Sequence, residues 1–362
     1  MNPSADEAER FARLRLARTE RVGPVAFSQL MQRYGTAREA LAALPDLARR
    51  GGGGGQALPD EGLIQAELDA GEAAGARLLL LGDPDYPPQL AALDSPPPLL
   101  WTRGDAALLS RDSLAIVGAR IASAGGQRIA RGLAAGLGQA GFVVVSGLAR
   151  GIDGAAHEGA LPTGTVAVLG GGVDDIYPPE HAALYESLAN EGCIVSESPM
   201  GAKAQARDFP RRNRIISGLT KGVIVVEAEL RSGSLITARL AGEQGRDVFA
   251  VPGSPLDPRS RGPNELLRQG AILCEGVDDV LNAFNGLRTL LEPDVPPWEP
   301  GPIDADLDLI ERLAALLSPV AAPRDELARA VGASIGDVNA ALLELTLAGR
   351  AVLLPGGQVA AP

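Results

Sequence analysis

The stretch that decides the fold is Phe142-Val-Val-Val-Ser-Gly-Leu-Ala-Arg-Gly-Ile-Asp153, in which an apolar run leads into a glycine-rich turn. The run is apolar on consecutive positions, as is typical of a parallel strand that is buried on both faces. Similar runs recur along the middle of the chain, with helical stretches between them. They lie at residues 114–117, 142–145, 166–169, 194–196, 223–226 and 248–251.

This alternation of strands and helices predicts an α/β fold with a Rossmann-like, doubly wound and mostly parallel sheet. Two earlier apolar runs, at residues 78–81 and 99–102, are expected to extend the sheet at one edge. The sheet domain is therefore expected to span residues 76–290.

The segments on either side of the sheet predict two further domains. Residues 1–75 have the apolar spacing of short helices and contain a glycine run at 51–55, which predicts a small helical domain of the SAM or helix-hairpin-helix kind. A proline-rich linker at 291–302 precedes residues 303–362. These last residues suggest three helices followed by a strand, a Gly-Gly turn and a strand, which is the plan of a winged helix.

Composition limits the classes of protein that fit. The chain has 362 residues, 46% of them hydrophobic, and a net charge of −12, which argues against indiscriminate binding of nucleic acid. No apolar run approaches the roughly 20 residues of a membrane span, and no secretory signal is visible. The two cysteines, Cys193 and Cys274, are too few for a disulfide framework or a zinc site. We expect a cytoplasmic protein that has no membrane span, metal or cofactor.

One segment carries the opposite charge to the whole chain. Residues 200–221 contain six basic side chains and one acid, which gives a local charge of +5 around Phe209. Guanidinium groups beside an aromatic ring suit single-stranded nucleic acid, because the cations pair with phosphates while a base stacks on the ring. The alternative is that Arg212 or Arg214 is buried and paired with Glu197 or Glu227 to stabilise the fold.

Four glycine-rich loops follow strands of the predicted sheet, at residues 118–120, 146–153, 170–172 and 231–234. The carboxyl ends of parallel strands share one edge, so these loops are expected to converge where ligands bind such sheets. Ser234 is expected to cap the following helix and to leave amides available for an anion. The alternative is that the glycines only allow tight turns.

Five motifs occur in an order that resembles one known family. They are Ile116-Val-Gly-Ala-Arg120, Ser146-Gly-Leu-Ala-Arg-Gly-Ile-Asp-Gly-Ala-Ala-His157, Phe209-Pro-Arg-Arg-Asn-Arg-Ile-Ile216, Ser232-Gly-Ser-Leu-Ile-Thr-Ala238 and Val251-Pro-Gly253. The chain resembles the DprA (Smf) family of DNA-processing proteins over roughly residues 80–285.

The resemblance implies a non-enzymatic protein that binds and protects single-stranded DNA and helps to load RecA onto it in natural transformation or recombination. It also implies a homodimer formed through the sheet domain, and the single-strand DNA-binding protein is a further candidate partner. No catalytic residue and no metal ligand is expected. The DNA-binding residues that it implies are Arg120, Gly147, Arg150, Gly151, Lys203, Arg207, Phe209, Arg211, Arg212, Asn213, Arg214, Ser232, Gly233 and Ser234.

Two other functions are compatible with parts of the sequence. A nucleotide-processing hydrolase on a related Rossmann-like fold could use Glu227 or Asp153 as a general acid or base. The chain lacks the Pro-Gly-Gly-x-Gly-Thr loop expected of that class, and it has no P-loop. A scaffold without nucleic acid leaves the positive segment unexplained. His157 is expected to be a buried hydrogen-bonding residue.

The predicted winged helix is acidic, with a net charge of −4 over residues 303–362. Its third helix, at 334–348, has two acids and no cation, whereas a helix that reads DNA normally carries cations. We therefore expect this domain to serve protein contacts or packing and not to bind duplex DNA strongly.

Overall fold

The computed structural model describes residues 3–50, 57–287, 307–319 and 321–362. The predicted linker at 291–302 and the glycine run at 51–55 lie outside these residues, and the predicted domain limits stay predictions. The chain forms two compact units. The unit with the large sheet consists of Asp69–Leu93 and Leu100–Asp294, and the other consists of Met1–Leu68, Asp94–Leu99 and Val295–Pro362.

The helices of the described residues alternate with strands in the middle of the chain and cluster at its ends. They are α1 (Pro3–Arg18), α2 (Pro24–Tyr34), α3 (Ala37–Arg50), α4 (Glu61–Ala73), α5 (Pro88–Ala91), α6 (Ala124–Gln139), α7 (Ile152–Ala160), α8 (Ala182–Glu191), α9 (Asp208–Leu219), α10 (Gly233–Glu243), α11 (Arg261–Arg268), α12 (Val277–Leu287), α13 (Leu307–Leu316), α14 (Arg324–Val331) and α15 (Ile335–Leu347). Within the described ranges, none of them is by itself both long and apolar enough to cross a membrane, although the bent pair α14 and α15 together meets the length and composition criteria.

The large sheet has nine strands in the order β1-β2-β6-β5-β4-β3-β7-β8-β9. From β6 through β3 to β9 every neighbouring pair is parallel, and β2 is antiparallel to β6. This confirms the mostly parallel, doubly wound sheet, with the two early runs at one edge. The strands are β1 (Arg77–Leu80), β2 (Leu99–Gly104), β3 (Ser113–Val117), β4 (Val143–Ser146), β5 (Thr165–Val168), β6 (Cys193–Ser196), β7 (Gly222–Val225), β8 (Asp247–Ala250) and β9 (Ile272–Leu273).

The apolar runs are buried because helices cover both faces of the sheet. Along β3, Leu114 and Ile116 pack in the cluster that contains Ile152 of α7. Ala115 and Val117 belong to the cluster on the other face, which contains Ile216 of α9. Successive residues of a strand point to opposite faces, so a strand with helices on both sides has to be apolar throughout.

The last helices and strands form the predicted winged helix. A three-stranded antiparallel sheet has the order β10-β12-β11 and accompanies α13, α14 and α15. Its strands are β10 (Ala322–Pro323), β11 (Val352–Leu354) and β12 (Gln358–Ala360).

The third helix of the winged helix, α15, is buried on two faces. One face contributes Val338 and Leu342 to the core of its own domain. The other face contributes Leu343 and Leu347 to the core of α1–α3. Glu344 lies between these leucines and is fully buried, with its carboxylate 3.5 Å from the Arg33 guanidinium and 3.8 Å from that of Arg50. The N-terminal helices therefore cover the face of α15 that its own domain leaves open.

Candidate functional site

The four glycine-rich loops meet at the carboxyl edge of the large sheet. They follow β5, β4, β3 and β7, which lie side by side and are parallel. Strand β4 lies on one side of β3 and β7 lies on the other, so the strand order reverses at β3. Ligands bind at such a reversal of strand order.

A pocket of about 240 Å³ opens between these loops and the beginning of α9. Its volume is below the range of about 300–1,000 Å³ that holds whole small-molecule ligands. The pocket brings together five of the predicted site residues, Arg120, Gly147, Arg150, Phe209 and Arg212.

Phe209 lines the pocket and has three close neighbours with charged or aromatic side chains. The guanidinium carbon of Arg120 lies 5.1 Å from the centroid of its ring, and that of Arg212 lies 6.0 Å away. The ring of Tyr177 is the third neighbour, with a centroid distance of 5.7 Å and a tilt of 37°. Cations over an aromatic ring are attracted by its quadrupole, so these contacts hold Phe209 in place.

Arg212 is a buried part of the pocket wall. It is 7% exposed, and its Nη1 donates to the carbonyl oxygens of Gly147, at 2.7 Å, and of Val168. Burial lowers the pKa of Arg212 to about 10, and nearby Asp153 opposes this shift. A Cβ at position 147 would collide with the guanidinium, so a glycine is required there. Arg212 thus joins the ends of β4 and β5 beneath the pocket.

Two acids that sequence analysis considered as catalytic candidates are engaged in structural hydrogen bonds. The Oδ2 of buried Asp153 accepts from the amides of Gly147 and Ala149, at 3.2 and 3.3 Å. Burial raises the pKa of Asp153, while the Arg212 guanidinium partly offsets the rise. Glu227 accepts from the amide and the hydroxyl of Ser123, at 2.9 and 2.5 Å, and so lies at the beginning of α6.

The positive segment divides into buried and exposed members. Arg214 pairs with Glu197 at 2.5 Å, as the structural alternative proposed, and buried Asn213 donates to the carbonyl of Gly233 at 3.2 Å. Lys221 lies at the opposite edge of the sheet, because it immediately precedes β7, and it pairs with Asp112. The exposed members are Lys203, Arg207 and Arg211.

Three of the exposed cations near the pocket have acidic neighbours. The Nζ of Lys203 lies 3.0 Å from Oδ1 of Asp175, Arg150 pairs with Glu180 at 2.6 Å, and the Nε of Arg211 lies 3.9 Å from Oε2 of Glu197. Both partners of the second pair are more than half exposed, and ion pairs of this kind contribute only about 0–1 kcal/mol. Arg150 can therefore exchange its carboxylate for a phosphate at little cost.

The serine loop after β7 differs from the prediction in one respect. Ser232, and not Ser234, caps α10: its backbone is extended and its hydroxyl accepts from the Ser234 amide at 3.3 Å. Ser234 already lies in the first turn and is buried, with its hydroxyl 2.6 Å from that of Ser232. The expectation for Ser234 was wrong by two residues, because the helix begins at Gly233.

Gly151 allows the β4 loop to pass the β3 loop. Its φ is +76°, and a Cβ there would collide with the carbonyl oxygen of Ala119. A side chain at position 151 would be incompatible with the positive φ and with the close carbonyl. Gly151 therefore contributes to the site through the path of its backbone.

Sequence analysis missed Asp175 and Tyr177, which also line the pocket. Both follow the Gly170-Gly171-Gly172 turn, and a Tyr-Pro pair just beyond a loop of this kind was the available signal. His157 is fully buried, as expected, with Nδ1 2.7 Å from the Thr165 hydroxyl. Across the part of the chain that the structure describes, no group of three or more His, Cys, Asp or Glu side chains could hold a metal ion.

Comparison with family models gives three matches. A model described as DNA recombination-mediator protein A matches residues 77–285. Models described as the DprA-like N-terminal HHH domain and the DprA winged helix domain match residues 7–70 and 297–357.

Individual proteins agree with these models. The chain is 46% identical to protein Smf of Escherichia coli over 281 residues, which are 76% of this chain and 74% of that protein. The structure of DNA processing protein A from Streptococcus pneumoniae is 40% identical with a TM-score of 0.58, over 62% of this chain and 78% of that one. A structure that gives insights into the unique single-stranded DNA binding mode of DNA processing protein A from Helicobacter pylori is 32% identical to this chain. Its TM-score is 0.53, over 58% of this chain and 96% of that one.

Proposed function

Since the chain belongs to the DNA recombination-mediator protein A family, and thus to proteins that process DNA in recombination, we propose that it binds single-stranded DNA at the pocket around Phe209. The observation that carries the proposal is an aromatic ring in a pocket whose rim has exposed arginines, in a protein that is otherwise negative. Such a combination suits a strand whose bases are accessible and whose phosphates follow the rim.

The proposed role of each cation in binding depends on its exposure to solvent. Arg120, Arg150, Arg207 and Arg211 are exposed and are proposed to neutralise phosphates. At the beginning of α10 the amides of Ser232 and Ser234 already donate to Glu229 and to the Ser232 hydroxyl, so the Gly233 amide is the one proposed to bind a phosphate. Bonds to phosphates carry no sequence information, so this arrangement binds strands of any sequence.

Arg212, Asn213 and Arg214 act in a different way under this proposal. They are buried or engaged in pairs, and they connect α9 to the ends of β4, β5 and β6 and to the serine loop. We propose that they position the exposed cations and Phe209, and that direct contact with DNA by these three residues is secondary.

Protection of single strands and loading of RecA are further parts of the proposal, as is contact with the single-strand DNA-binding protein. A homodimer through the sheet unit is likewise part of the proposal. The cytoplasmic location also stays a prediction.

A fluorescence titration with a single-stranded oligonucleotide at several salt concentrations tests the proposal. If three to five phosphates are neutralised, the slope of log affinity against log salt is about −2 to −3.5. The double variant Arg120→Ala/Arg207→Ala should flatten this slope by about 1.4, and Phe209→Ala should cost about 1–3 kcal/mol of binding.

The matched control is Arg111→Ala/Lys221→Ala, which removes the same charge from the amino edge of the sheet. We expect its slope to equal that of the wild type. Equal slopes for the two double variants would place the DNA on another surface.

The alternative function, a nucleotide-processing hydrolase, has a direct test. Incubation with nucleoside monophosphates would release a free base if the alternative were correct. The hydrogen bonds of Asp153 and Glu227 favour structural roles for both candidate acids, and we expect no release.

A further inference from the structure

The wing of the winged helix carries little charge. Residues 349–362, which include β11, the turn after it and β12, contain one arginine and no acid. That arginine, Arg350, donates to both carboxylate oxygens of Glu311, at 2.8 and 3.0 Å, so its charge is compensated. Contact with duplex DNA depends largely on cations that pair with phosphates. The wing is therefore suited to a different kind of contact.

Strand β11 presents two apolar side chains to solvent. Val352 is 40% exposed and Leu354 is 36% exposed, whereas Leu353 between them packs against the core of the domain. Val352 and Leu354 lie opposite Ala360 and Gln358 of β12 and share a face of the small sheet with them. The outer face of this sheet is thus apolar where β11 forms it.

Strand β11 is also an edge strand, because it stands last in the order β10-β12-β11. Across the ranges that the structure describes, no residue outside β12 forms a hydrogen bond with the main chain of Val352–Leu354. Soluble proteins commonly protect such an edge with charged side chains, and β11 has none. An unprotected edge with an apolar face is a template for another strand.

An arginine stands near each end of β11. A Cβ at Gly349, just before the strand, would lie 3.0 Å from the guanidinium carbon of Arg21. A Cβ at Gly357, in the turn after the strand, would lie 3.4 Å from Nη2 of Arg324. The surroundings of β11 are therefore positive, although the winged helix as a whole is negative.

Both of these arginines can accept a new carboxylate. Arg324 donates to the neutral amide oxygen of Asn339 at 3.1 Å. The Nε of Arg21 lies 3.9 Å from Oε1 of Glu20, and both side chains of this pair are exposed. An exposed ion pair at this distance contributes little to stability, so an acid of a partner can replace Glu20 at little cost.

From these observations we propose that β11 is a docking edge for an acidic, extended peptide of a partner protein, which adds a fourth strand to the small sheet. The peptide main chain pairs with Val352–Leu354, and two of its apolar side chains, two residues apart, pack beside Val352 and Leu354. Acids on either side of them meet Arg21 and Arg324. The inference is independent of the proposed binding of DNA, which it places in the other unit.

A second copy of this chain fits the same edge less well. Antiparallel pairing of two β11 strands would bring Arg21 of each copy towards Arg324 of the other. Like charges that face each other across an interface oppose association. The charge around β11 therefore favours an acidic partner over self-association.

Fluorescence anisotropy with the full chain and the labelled peptide Asp-Asp-Val-Thr-Val-Asp-Asp tests the apolar contact. We expect saturable binding, and Leu354→Gln should weaken it about tenfold because the leucine no longer covers an apolar side chain. The matched control is Leu256→Gln, which changes an exposed leucine of the sheet unit and should bind as the wild type does. Absence of saturable binding, or equal binding by the two variants, would overturn the proposal.

A charge exchange tests the two ends of the strand. Arg324→Glu should weaken binding of the acidic peptide at least about tenfold and strengthen binding of Lys-Lys-Val-Thr-Val-Lys-Lys, which the wild type should bind weakly. Arg329→Glu makes the same change at an exposed position of α14 and should alter neither affinity. If the wild type binds both peptides equally well, the assignment of an acidic partner is wrong.

Methylation of peptide amides tests strand addition itself. Successive residues of a strand direct their amides to opposite edges. One peptide is methylated at the amides of its two valines, and a second at the amides of the threonine and of the next acid. We expect one of them to bind as the parent peptide does and the other to bind at least about tenfold more weakly. Equal binding by the two would exclude pairing with β11.

Sedimentation of the full chain tests the remaining occupant. Leu354→Gln should have the same mass in solution as the wild type, and its affinity for single-stranded DNA should also be unchanged, which shows that the variant is folded. A lower mass for Leu354→Gln would mean that a second copy covers β11, and would overturn the acidic partner.

Discussion

The carboxyl edge of the sheet and the outer face of α15 are the two places where these folds commonly meet nucleic acid, and they differ in charge and in exposure. The sheet edge has exposed arginines around a pocket, whereas α15 contributes leucines and buried Glu344 to the core of the N-terminal helices. A fold therefore supplies a location for binding, and the side chains decide whether the location is used.

Arginines stabilise the fold in both regions. Arg212 is buried beneath the pocket and donates to main-chain carbonyls, while Arg33 and Arg50 approach buried Glu344. These arginines stabilise the fold, and only the exposed ones can take a phosphate. The local charge of +5 in the sequence thus overstates the charge available to DNA.

The largest expected effect concerns the support beneath the pocket. Asp153→Ala removes the acceptor of two loop amides, those of Gly147 and Ala149, so we expect a loss of about 2–6 kcal/mol in the free energy of unfolding. Urea unfolding measures it. The control Glu158→Ala removes an exposed acid of the same helix and should stay within about 1 kcal/mol of the wild type. Similar values for the two variants would show that the pocket does not depend on these hydrogen bonds.

The second largest expected effect concerns α15, the other region of the comparison. Glu344→Ala should lower the free energy of unfolding by about 1–3 kcal/mol, less than a tight buried pair, because both guanidinium groups are at least 3.5 Å away. Affinity for single-stranded DNA should stay at the wild-type level, and affinity for duplex DNA should remain weak. A change in DNA affinity without a change in stability would assign α15 to the DNA interface.

The smallest expected effect is a pH dependence of stability. Burial, together with nearby His181 and Arg212, lowers the pKa of His157 to about 3. The unfolded chain takes up this proton below its ordinary pKa of about 6.5, so the native state loses stability as the pH falls. Between pH 7.5 and 5.5 the loss should be about 1.4 kcal/mol smaller in His157→Gln than in the wild type. Urea unfolding at both pH values checks this, and equal losses would contradict it.

The parallel sheet was predictable because burial on both faces requires apolar residues at consecutive positions of a strand. Strand β9 has only two residues, too few for any pattern, and sequence analysis missed it. The burial of Arg212 had a signal that was not used: it stands three and four residues before Ile215 and Ile216, on the face of α9 that packs on the sheet.

The pocket was predictable only in part. Glycines and arginines after strands marked the loops from β3 and β4, because the position of a loop follows from its strand. Tyr177 and Asp175 lie farther from the end of β5, where no periodicity relates a residue to the site. Their positions in the pocket depend on hydrogen bonds between loops, and no spacing of residues in the sequence predicts such bonds.

The packing of Leu343 and Leu347 against α1–α3 has a consequence for shortened forms of the protein. Removing either terminus alone would uncover leucines on the remaining one and favour aggregation, whereas removing both leaves no such surface. A natural variant that dispenses with one end should therefore carry polar residues where these leucines stand.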